Sequence, residues 1–295
     1  MNQQKQDPHA SGSRRRFIKA AAGLPLIGAL PSGLGAMNQR EPEAAQREHI
    51  RAALLSATTV PGGTSLRHAH PALEDLYRDV SEILLIPFSS LPPDRDAYAR
   101  RMQRDFAKIR TDLKVRSLHQ VGKADAARAV RDAEAFFVSG GNTFLLLREL
   151  YDRFVVDLLR ERVLNGVPYG GSSAGSNIAG TVIGTTNDFP MTDIPTRRSL
   201  GILPAVFNPH HPDPALDERG YGSRKWKIGN YTEYNEDEIV LGVTDPGVVG
   251  IRGSRLTLLG DGGKAYLTYR GVQVEVDSAE TRDLVQPMAD LRKAE

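Results

Sequence analysis

Short apolar runs alternate with helix-like segments along this chain, and that alternation restricts the fold more than any other feature of the sequence. Ile83–Phe88 and Ala135–Val138 are apolar runs of strand length, whereas Asp94–Leu113 and Lys123–Ala133 have the pattern of helices. Continuously apolar strands are typical of parallel sheets that are covered by helices on both faces. The sequence therefore predicts an α/β fold built on a mostly parallel sheet.

The C-terminal part of the chain has a different pattern, in which strands predominate. Arg255–Leu259 and Ala265–Tyr269 flank a glycine-rich segment at residues 260–263, which predicts a β-hairpin. The whole chain has 295 residues, of which 40% are hydrophobic, so there is enough apolar material for a sizeable core. We expect residues 49–295 to form a single α/β domain with a strand-rich C-terminal part.

The first 36 residues are predicted to be an export signal and not part of the fold. Ser13–Lys19 contains three consecutive arginines, and Ala20–Ala36 has no charged residue. This order is typical of secretory signals, and the paired arginines followed by Phe17 and Lys19 resemble the twin-arginine pattern. The apolar stretch contains two prolines and is shorter than the ~20 residues of a membrane span, although an uncleaved anchor is the alternative. We expect export by the twin-arginine machinery to the periplasm or beyond, with residues 37–48 as a polar linker.

Charge and cysteine content exclude several classes of protein. The predicted signal has five basic residues and one acidic residue, so the formal charge of +2 for the whole chain leaves −2 for the rest. A chain of this charge, without a stripe of Lys and Arg, is not expected to bind nucleic acid. Because cysteine is absent, disulfides, thiolate metal sites and a cysteine nucleophile are excluded as well.

Residues Gly171–Gly175 match the pattern G-x-S-x-G between a predicted strand and a helix-compatible segment. A strand-to-helix turn of this kind strains the backbone so that the serine hydroxyl projects from it. The next amide, on Ala174, lies at a helix N-terminus, where a developing oxyanion is stabilised. The pattern predicts Ser173 as a nucleophile, with a tight turn or a phosphate cradle as alternatives, and the adjacent Ser172 leaves the register open.

His210 is the best placed of the seven histidines to act as a base. It follows the apolar segment Ile202–Phe207, and open α/β sheets place their sites at the carboxyl ends of strands. The neighbouring His211 suggests a metal site, but adjacent residues on an extended chain point to opposite sides and no cluster has ligand spacing. We therefore predict no metal. The separation of 37 residues between Ser173 and His210 is too short for an α/β-hydrolase.

Four short motifs occur in order along the chain, namely Gly140–Phe144, Gly171–Asn177, Thr185–Pro190 and Asn208–His210. Together they resemble the peptidase E (aspartyl dipeptidase) family, which is related to cyanophycinase. The resemblance implies a flavodoxin-like three-layer sandwich, similar to class I glutamine amidotransferases, with serine in place of cysteine and no cofactor. It also implies that Ser173 is the nucleophile, that His210 is the base, and that Gly141 and Ala174 are the oxyanion donors. Ser172 and Ser139 depart from the family pattern, which has tryptophan and glycine there.

Two carboxylates compete for the third position of a catalytic triad. Asp188 lies in the third motif, and Asp245 aligns with an acidic residue that follows a late strand in the family. Either could be a turn residue. Asp188 is the preferred choice of the two.

Arg224 matches the family's arginine for the aspartyl side chain of the substrate, because it follows Gly222 and Ser223 in the corresponding stretch. A guanidinium suits this role because it holds a carboxylate with two charge-assisted hydrogen bonds. The alternative is that Arg224 belongs to a solvated basic patch with Lys225 and Lys227.

These residues and the family resemblance together predict an exported serine peptidase that hydrolyses small peptides through an acyl-enzyme. The resemblance implies dipeptides with an N-terminal Asp as the substrates. The alternatives are a cyanophycinase-like hydrolase of β-aspartyl peptides and a non-catalytic binding module on the same fold. The expected partners are a small peptide substrate and the twin-arginine export machinery. Assembly into a homo-oligomer is left open.

Overall fold

The computed structural model describes residues 47–214, 216–217, 220, 222–260, 262–276 and 285–293. All of them belong to the unit formed by Arg40–Glu295. The predicted export signal lies outside the described residues, as does most of the predicted linker.

Seven strands form the larger sheet, in the order β3-β2-β4-β5-β1-β8-β9. The five strands from β3 to β1 are mutually parallel, whereas β8 and β9 are antiparallel additions at one edge. The strands are β1 Arg51–Leu55, β2 Glu82–Ile86, β3 Lys114–Ser117, β4 Phe136–Val138, β5 Tyr169–Ser172, β8 Val248–Arg252 and β9 Arg255–Leu259.

A second sheet of four strands has the order β11-β10-β7-β6, and only its pair β6–β7 is parallel. Its strands are β6 Val206–Asn208, β7 Val240–Val243, β10 Ala265–Tyr269 and β11 Val272–Val276. The prediction that β9 and β10 pair as a hairpin is therefore wrong, although both strands have the bounds predicted from the sequence. β9 pairs with β8 and β10 pairs with β7 and β11, because the glycine-rich segment between them carries the chain from one sheet to the other.

Helices connect most of the strands of the larger sheet. They are α1 His70–Leu76, α2 Arg95–Ile109, α3 Ala126–Arg131, α4 Thr143–Asp152, α5 Val156–Leu164, α6 Ala174–Asn177, α7 Arg224–Tyr234 and α8 Val285–Lys293. Residues 153–155 separate α4 from α5, because Phe154 has a φ of 55°, which lies outside the range of a right-handed helix.

Successive residues of the parallel strands contribute to two different cores, as the alternation of side chains along a strand requires. Leu84 and Ile86 of β2 pack into one core together with Leu146 and Leu150 of α4. On the opposite face, residues of the same strands pack with α1 and α2: they are Leu55, Ile83, Leu85, Phe137, Leu73, Met102 and Phe106. Helices thus cover both faces of the sheet, which confirms the predicted flavodoxin-like sandwich. The carboxyl ends of its parallel strands meet at one edge.

Candidate active site

Ser173 lies in the turn between β5 and α6, at that edge of the sheet. Its φ is 51° and its ψ is −110°, a conformation that residues other than glycine rarely adopt. The flanking glycines make this turn sterically possible: a Cβ on Gly171 would lie 2.7 Å from the Gly175 carbonyl oxygen, and one on Gly175 would lie 2.2 Å from the Val138 carbonyl oxygen. The strand and the helix therefore pass too closely for any larger residue, and the nucleophile candidate occupies the apex.

The two adjacent serines differ in direction. The Ser172 side chain is fully buried, and its hydroxyl lies 2.6 Å from the Thr58 hydroxyl. Ser173 is partly exposed, and its Oγ lies 2.8 Å from Nε2 of His210. The structure thus brings Ser173, and not Ser172, to the histidine.

His210 and Asp245 each follow a strand of the second sheet by two residues. Because β6 and β7 are parallel neighbours, with Asn208 opposite Gly242, their carboxyl ends meet and bring the two side chains together. Nδ1 of His210 lies 2.9 Å from Oδ2 of Asp245. The result is a continuous hydrogen-bonded chain from the carboxylate through the imidazole to the Ser173 hydroxyl.

Asp245 has an environment that keeps it ionised. Burial raises its pKa, but hydrogen bonds from His210 and Ser56, together with the electrostatic effect of His210 and His68, lower it by more in total, so that the pKa lies below the ordinary value of 3.8. When a carboxylate accepts a hydrogen bond from the Nδ1–H group of a histidine, it fixes the imidazole tautomer in which Nε2 can accept a proton. This is the tautomer that a serine nucleophile needs.

Asp188 lies elsewhere, so the sequence-based preference for it as the partner of His210 is corrected. Its Oδ2 accepts hydrogen bonds from the Thr143 amide at 2.7 Å, from the Thr143 hydroxyl and from the Thr186 hydroxyl. The first amides of a helix have no partner within the helix and attract a carboxylate. Asp188 therefore fastens its loop to the first turn of α4, whereas Asp245 contacts the imidazole.

Of the two predicted oxyanion donors, Ala174 follows Ser173 directly, and Gly141 belongs to a loop that contacts Ser173 through Gly140. Gly140 approaches so closely that a Cβ on it would lie 3.0 Å from the Ser173 Cβ. Gly141 has a φ of 139°, and a Cβ there would lie 2.5 Å from the Ser89 carbonyl oxygen, so only glycine fits. In the part of the chain that the structure describes, neither the Gly141 amide nor the Ala174 amide has a protein acceptor. Both N–H groups are available to a developing oxyanion.

Arg224 is the first residue of α7, and its guanidinium reaches back to the end of β6. Nη1 of Arg224 donates a hydrogen bond to Oδ1 of Asn208 at 2.9 Å, and Asn208 precedes His210 by two residues. Burial lowers the pKa of Arg224, and the nearby Asp217 partly opposes this shift. Within the described ranges the other guanidinium N–H groups have no hydrogen-bond partner. Arg224 is thus a half-buried cation with free donors, close to the loop after β6 that carries His210.

A cavity of about 350 Å³ opens beside the His210–Asp245 pair. Lys264 lines it together with Asp213, and their charged groups are 2.8 Å apart. A volume of this order is at the lower end of the range for small-molecule sites.

Among the described residues, no group of three or more histidine and acidic side chains could hold a metal ion. No helix in that same part of the chain is long and apolar enough to cross a membrane.

The sequence interpretation did not single out Ser56, which contacts both His210 and Asp245. A signal for it does exist, since Ser56 is a polar residue directly after an apolar strand, at the sheet edge where functional groups collect.

Comparison with known proteins agrees with this arrangement. Residues 52–259 of the chain match the model of the family described as "Peptidase family S51". Peptidase E of Shewanella amazonensis is 36% identical over 225 residues, which are 76% of this chain and 94% of that protein. A "Probable alpha-aspartyl dipeptidase" of Drosophila melanogaster is 37% identical over 247 residues, 81% of this chain and 94% of that one.

A crystal structure from Listeria monocytogenes EGD-e has the same fold, with a TM-score of 0.55 and 18% identity over 72% of this chain and 98% of that one. The family match covers most of the described residues, including Ser173, His210 and Asp245. The chain therefore belongs to peptidase family S51 and is a serine-type peptidase.

Proposed function

We propose that this protein is a dipeptidase that cleaves dipeptides with an N-terminal Asp through an acyl-enzyme on Ser173. The observation that carries the proposal is the hydrogen-bonded chain of Ser173, His210 and Asp245, together with the Gly141 and Ala174 amides, which have no acceptor among the described residues. Relatives that are 36% and 37% identical to this chain over 225 and 247 aligned residues are named "Peptidase E" and "Probable alpha-aspartyl dipeptidase".

The geometry supports a two-step reaction. In the first step, the Ser173 hydroxyl attacks the peptide carbonyl carbon, its proton passes to Nε2 of His210, and the Gly141 and Ala174 amides stabilise the oxyanion. The imidazolium then donates that proton to the leaving amine as the peptide bond breaks. In the second step, water attacks the ester with the same base, and the free acid and the serine hydroxyl are restored.

Arg224 supports the preference for an acidic N-terminal residue. Its hydrogen bond to Asn208 orients the guanidinium near the loop that carries His210. Its other N–H groups have no partner in the part of the chain that the structure describes, so they can donate to a carboxylate. A planar guanidinium that is already half-buried binds a carboxylate more strongly than an exposed one would, because less water separates the charges.

Steady-state hydrolysis of Asp-Leu and Ala-Leu by the purified protein tests this proposal. We expect wild-type protein to prefer Asp-Leu and Ser173→Ala to abolish hydrolysis of both. Arg224→Met should lose about 2 to 4 kcal/mol of transition-state stabilisation on Asp-Leu and almost none on Ala-Leu, the range for removing one partner of a desolvated charge pair. The exposed Lys227, replaced by Met, is the matched control.

Three outcomes would contradict the proposal. Full activity of Ser173→Ala would remove the nucleophile, and equal losses on both dipeptides would make Arg224 a structural residue. Cleavage of a β-aspartyl dipeptide in preference to Asp-Leu would favour the cyanophycinase-like alternative.

We also propose that the protein is exported by the twin-arginine route to the periplasm or beyond. The support is the sequence itself, in which Arg14 and Arg15 are followed by Phe17, Lys19 and a stretch without charge.

A further inference from the structure

Ser56 directly follows β1 and is fully buried. Its hydroxyl lies between His210, the base, and Asp245, the acid. Its Oγ is 2.6 Å from Oδ1 of Asp245 and 2.8 Å from the backbone nitrogen of His210. We propose that Ser56 is a positioning residue that sets the geometry of the His210–Asp245 pair. This inference rests on the proposed peptidase function, but one of its tests does not require activity.

A hydroxyl has one proton to donate, which decides the direction of these hydrogen bonds. The His210 N–H can only donate, so Oγ of Ser56 accepts from it. The Ser56 proton then has two acceptors within reach, Oδ1 of Asp245 at 2.6 Å and the Val243 carbonyl at 2.8 Å. The carboxylate is the closer and carries charge, so it is the stronger acceptor.

These contacts close a ring through the two functional residues. Oδ2 of Asp245 binds the imidazole of His210, while Oδ1 is held through Ser56 to the backbone of the same histidine. Neither the carboxylate nor the imidazole can rotate without breaking a hydrogen bond that the other needs. Ser56 therefore couples the orientation of the side chain of His210 to that of its main chain.

The histidine backbone needs such support. His210 has a φ of 53°, in the left-handed region that residues other than glycine adopt at an energetic cost. The only hydrogen bond that its N–H makes among the described residues is the one to Ser56.

Ser56 also lies on a rigid support that connects the two sheets. Its own amide donates to the Gly247 carbonyl at 3.0 Å, and the preceding Leu55 carbonyl accepts from the Ser173 amide at 3.0 Å. β1 is hydrogen-bonded on both sides, to β5 and β8. The end of β1 thus holds the nucleophile through Leu55 and the base and acid through Ser56.

Steady-state kinetics of Ser56→Ala tests this role. We expect kcat for Asp-Leu to fall about 10- to 100-fold with KM within about twofold, because a small misplacement of the base affects the chemical step and not substrate binding. Ser199→Ala is the matched control: Ser199 is also a buried serine, but its hydroxyl donates to the Gly180 carbonyl. It should leave kcat within about twofold of wild type.

Ser56→Cys provides a second variant of nearly the same volume, should Ser56→Ala fail to fold. A thiol is a weak donor and a weak acceptor, so we expect kcat between the values of wild type and Ser56→Ala. Wild-type kcat in either folded Ser56 variant would overturn the proposal, and so would a loss matched by Ser199→Ala.

Proton NMR of the downfield signal of the His210 Nδ1 proton, assigned by its absence in His210→Gln, reads the geometry without substrate. We expect this signal to shift or broaden in Ser56→Ala and to stay in place in Ser199→Ala. If wild type hydrolyses no dipeptide but the signal shifts, the proposed function fails and the positioning role stands. An unchanged signal in Ser56→Ala would overturn the positioning role alone.

Discussion

Ser173 and His210 both have positive φ values, 51° and 53°, although neither is a glycine. A residue in such a conformation costs of the order of 1–3 kcal/mol, and the surrounding structure must supply that energy. The Ser173 amide bonds to Leu55 and the His210 amide bonds to Ser56, so the end of β1 supplies part of it for both residues.

Backbone strain at Ser173 predicts an unusual order of stabilities. Ser173→Gly should be about 1 kcal/mol more stable than Ser173→Ala, because glycine adopts this conformation without a Cβ clash. Both variants lack the hydroxyl, so the comparison isolates the backbone. Urea denaturation measures the difference in the free energy of unfolding.

Ser176 provides the control for this comparison, because it lies in α6 with an ordinary φ. Ser176→Gly should be less stable than Ser176→Ala, the opposite order to that at Ser173. The same order at both positions would contradict the assignment of strain to Ser173.

The lowered pKa of Asp245 predicts how stability depends on pH. A carboxylate whose pKa is lower in the folded protein stabilises the fold above its unfolded pKa, near 3.8, and this contribution disappears as the pH falls through the folded pKa. Between about pH 5 and that lower pKa, the free energy of unfolding should fall more steeply in wild type than in Asp245→Asn. Urea denaturation over this range measures it, and parallel curves would contradict a lowered pKa.

At the scale of elements, the loop before α4 is held on both sides. Asn142 accepts a hydrogen bond from the Leu145 amide and caps α4, and its side-chain amide donates to the Phe189 carbonyl at 2.8 Å. The Asn142 amide donates to the Ser89 carbonyl at 2.8 Å. These hydrogen bonds hold the residue that follows Gly141 and so restrict movement of the Gly141 amide, whose other neighbour, Gly140, contacts Ser173.

Gly141→Ala should therefore lower kcat for Asp-Leu by about 10²- to 10³-fold, the effect of removing one oxyanion donor. The added Cβ would lie 2.5 Å from the Ser89 carbonyl oxygen at a φ of 139°, so the loop must move. Gly122→Ala is the control, since Gly122 has a φ of −56° and its Cβ would meet nothing closer than 3.8 Å. A Gly141→Ala variant with wild-type kcat would exclude this amide from the oxyanion site.

Strand positions could be predicted from the sequence because a buried strand is recorded in a local apolar run. Strand pairing is not recorded locally, so the hairpin of Arg255–Leu259 and Ala265–Tyr269 was wrong although both strands are present. The same reason explains why the acid of the triad could not be chosen from the sequence. Asp188 and Asp245 could both be turn residues, and only the parallel pairing of β6 with β7 brings Asp245 to His210. The position of Ser56 after an apolar strand is a local signal, but its partners His210 and Asp245 are more than 150 residues away in the sequence, so its role could not be predicted from that signal alone.

At the scale of the whole molecule, the site draws on both sheets. The larger sheet supplies Ser173 and the amides beside it, and the second sheet supplies His210 and Asp245. The distance between nucleophile and base therefore depends on how the two sheets are held against each other, and Ser56 contributes a hydrogen bond at that junction.

The proposed export route makes a prediction for the full-length chain. Replacing Arg14 and Arg15 with Lys should leave the protein in the cytoplasm, because the twin-arginine machinery is expected to read the guanidinium pair. Fractionation of cells that produce the two forms measures it. Undiminished periplasmic protein from the variant would indicate the general secretory route instead.

The assignment of Ser173, His210 and Asp245 as one catalytic unit is tested most directly by comparing Asp245→Asn with Asp188→Asn. An amide at position 245 still fits the space but favours the wrong imidazole tautomer, so kcat for Asp-Leu should fall about 10⁴-fold. Asp188→Asn should lower kcat less than about tenfold, since Asp188 contacts Thr143 and Thr186 and not the imidazole. A large loss in Asp188→Asn together with a small loss in Asp245→Asn would contradict the triad.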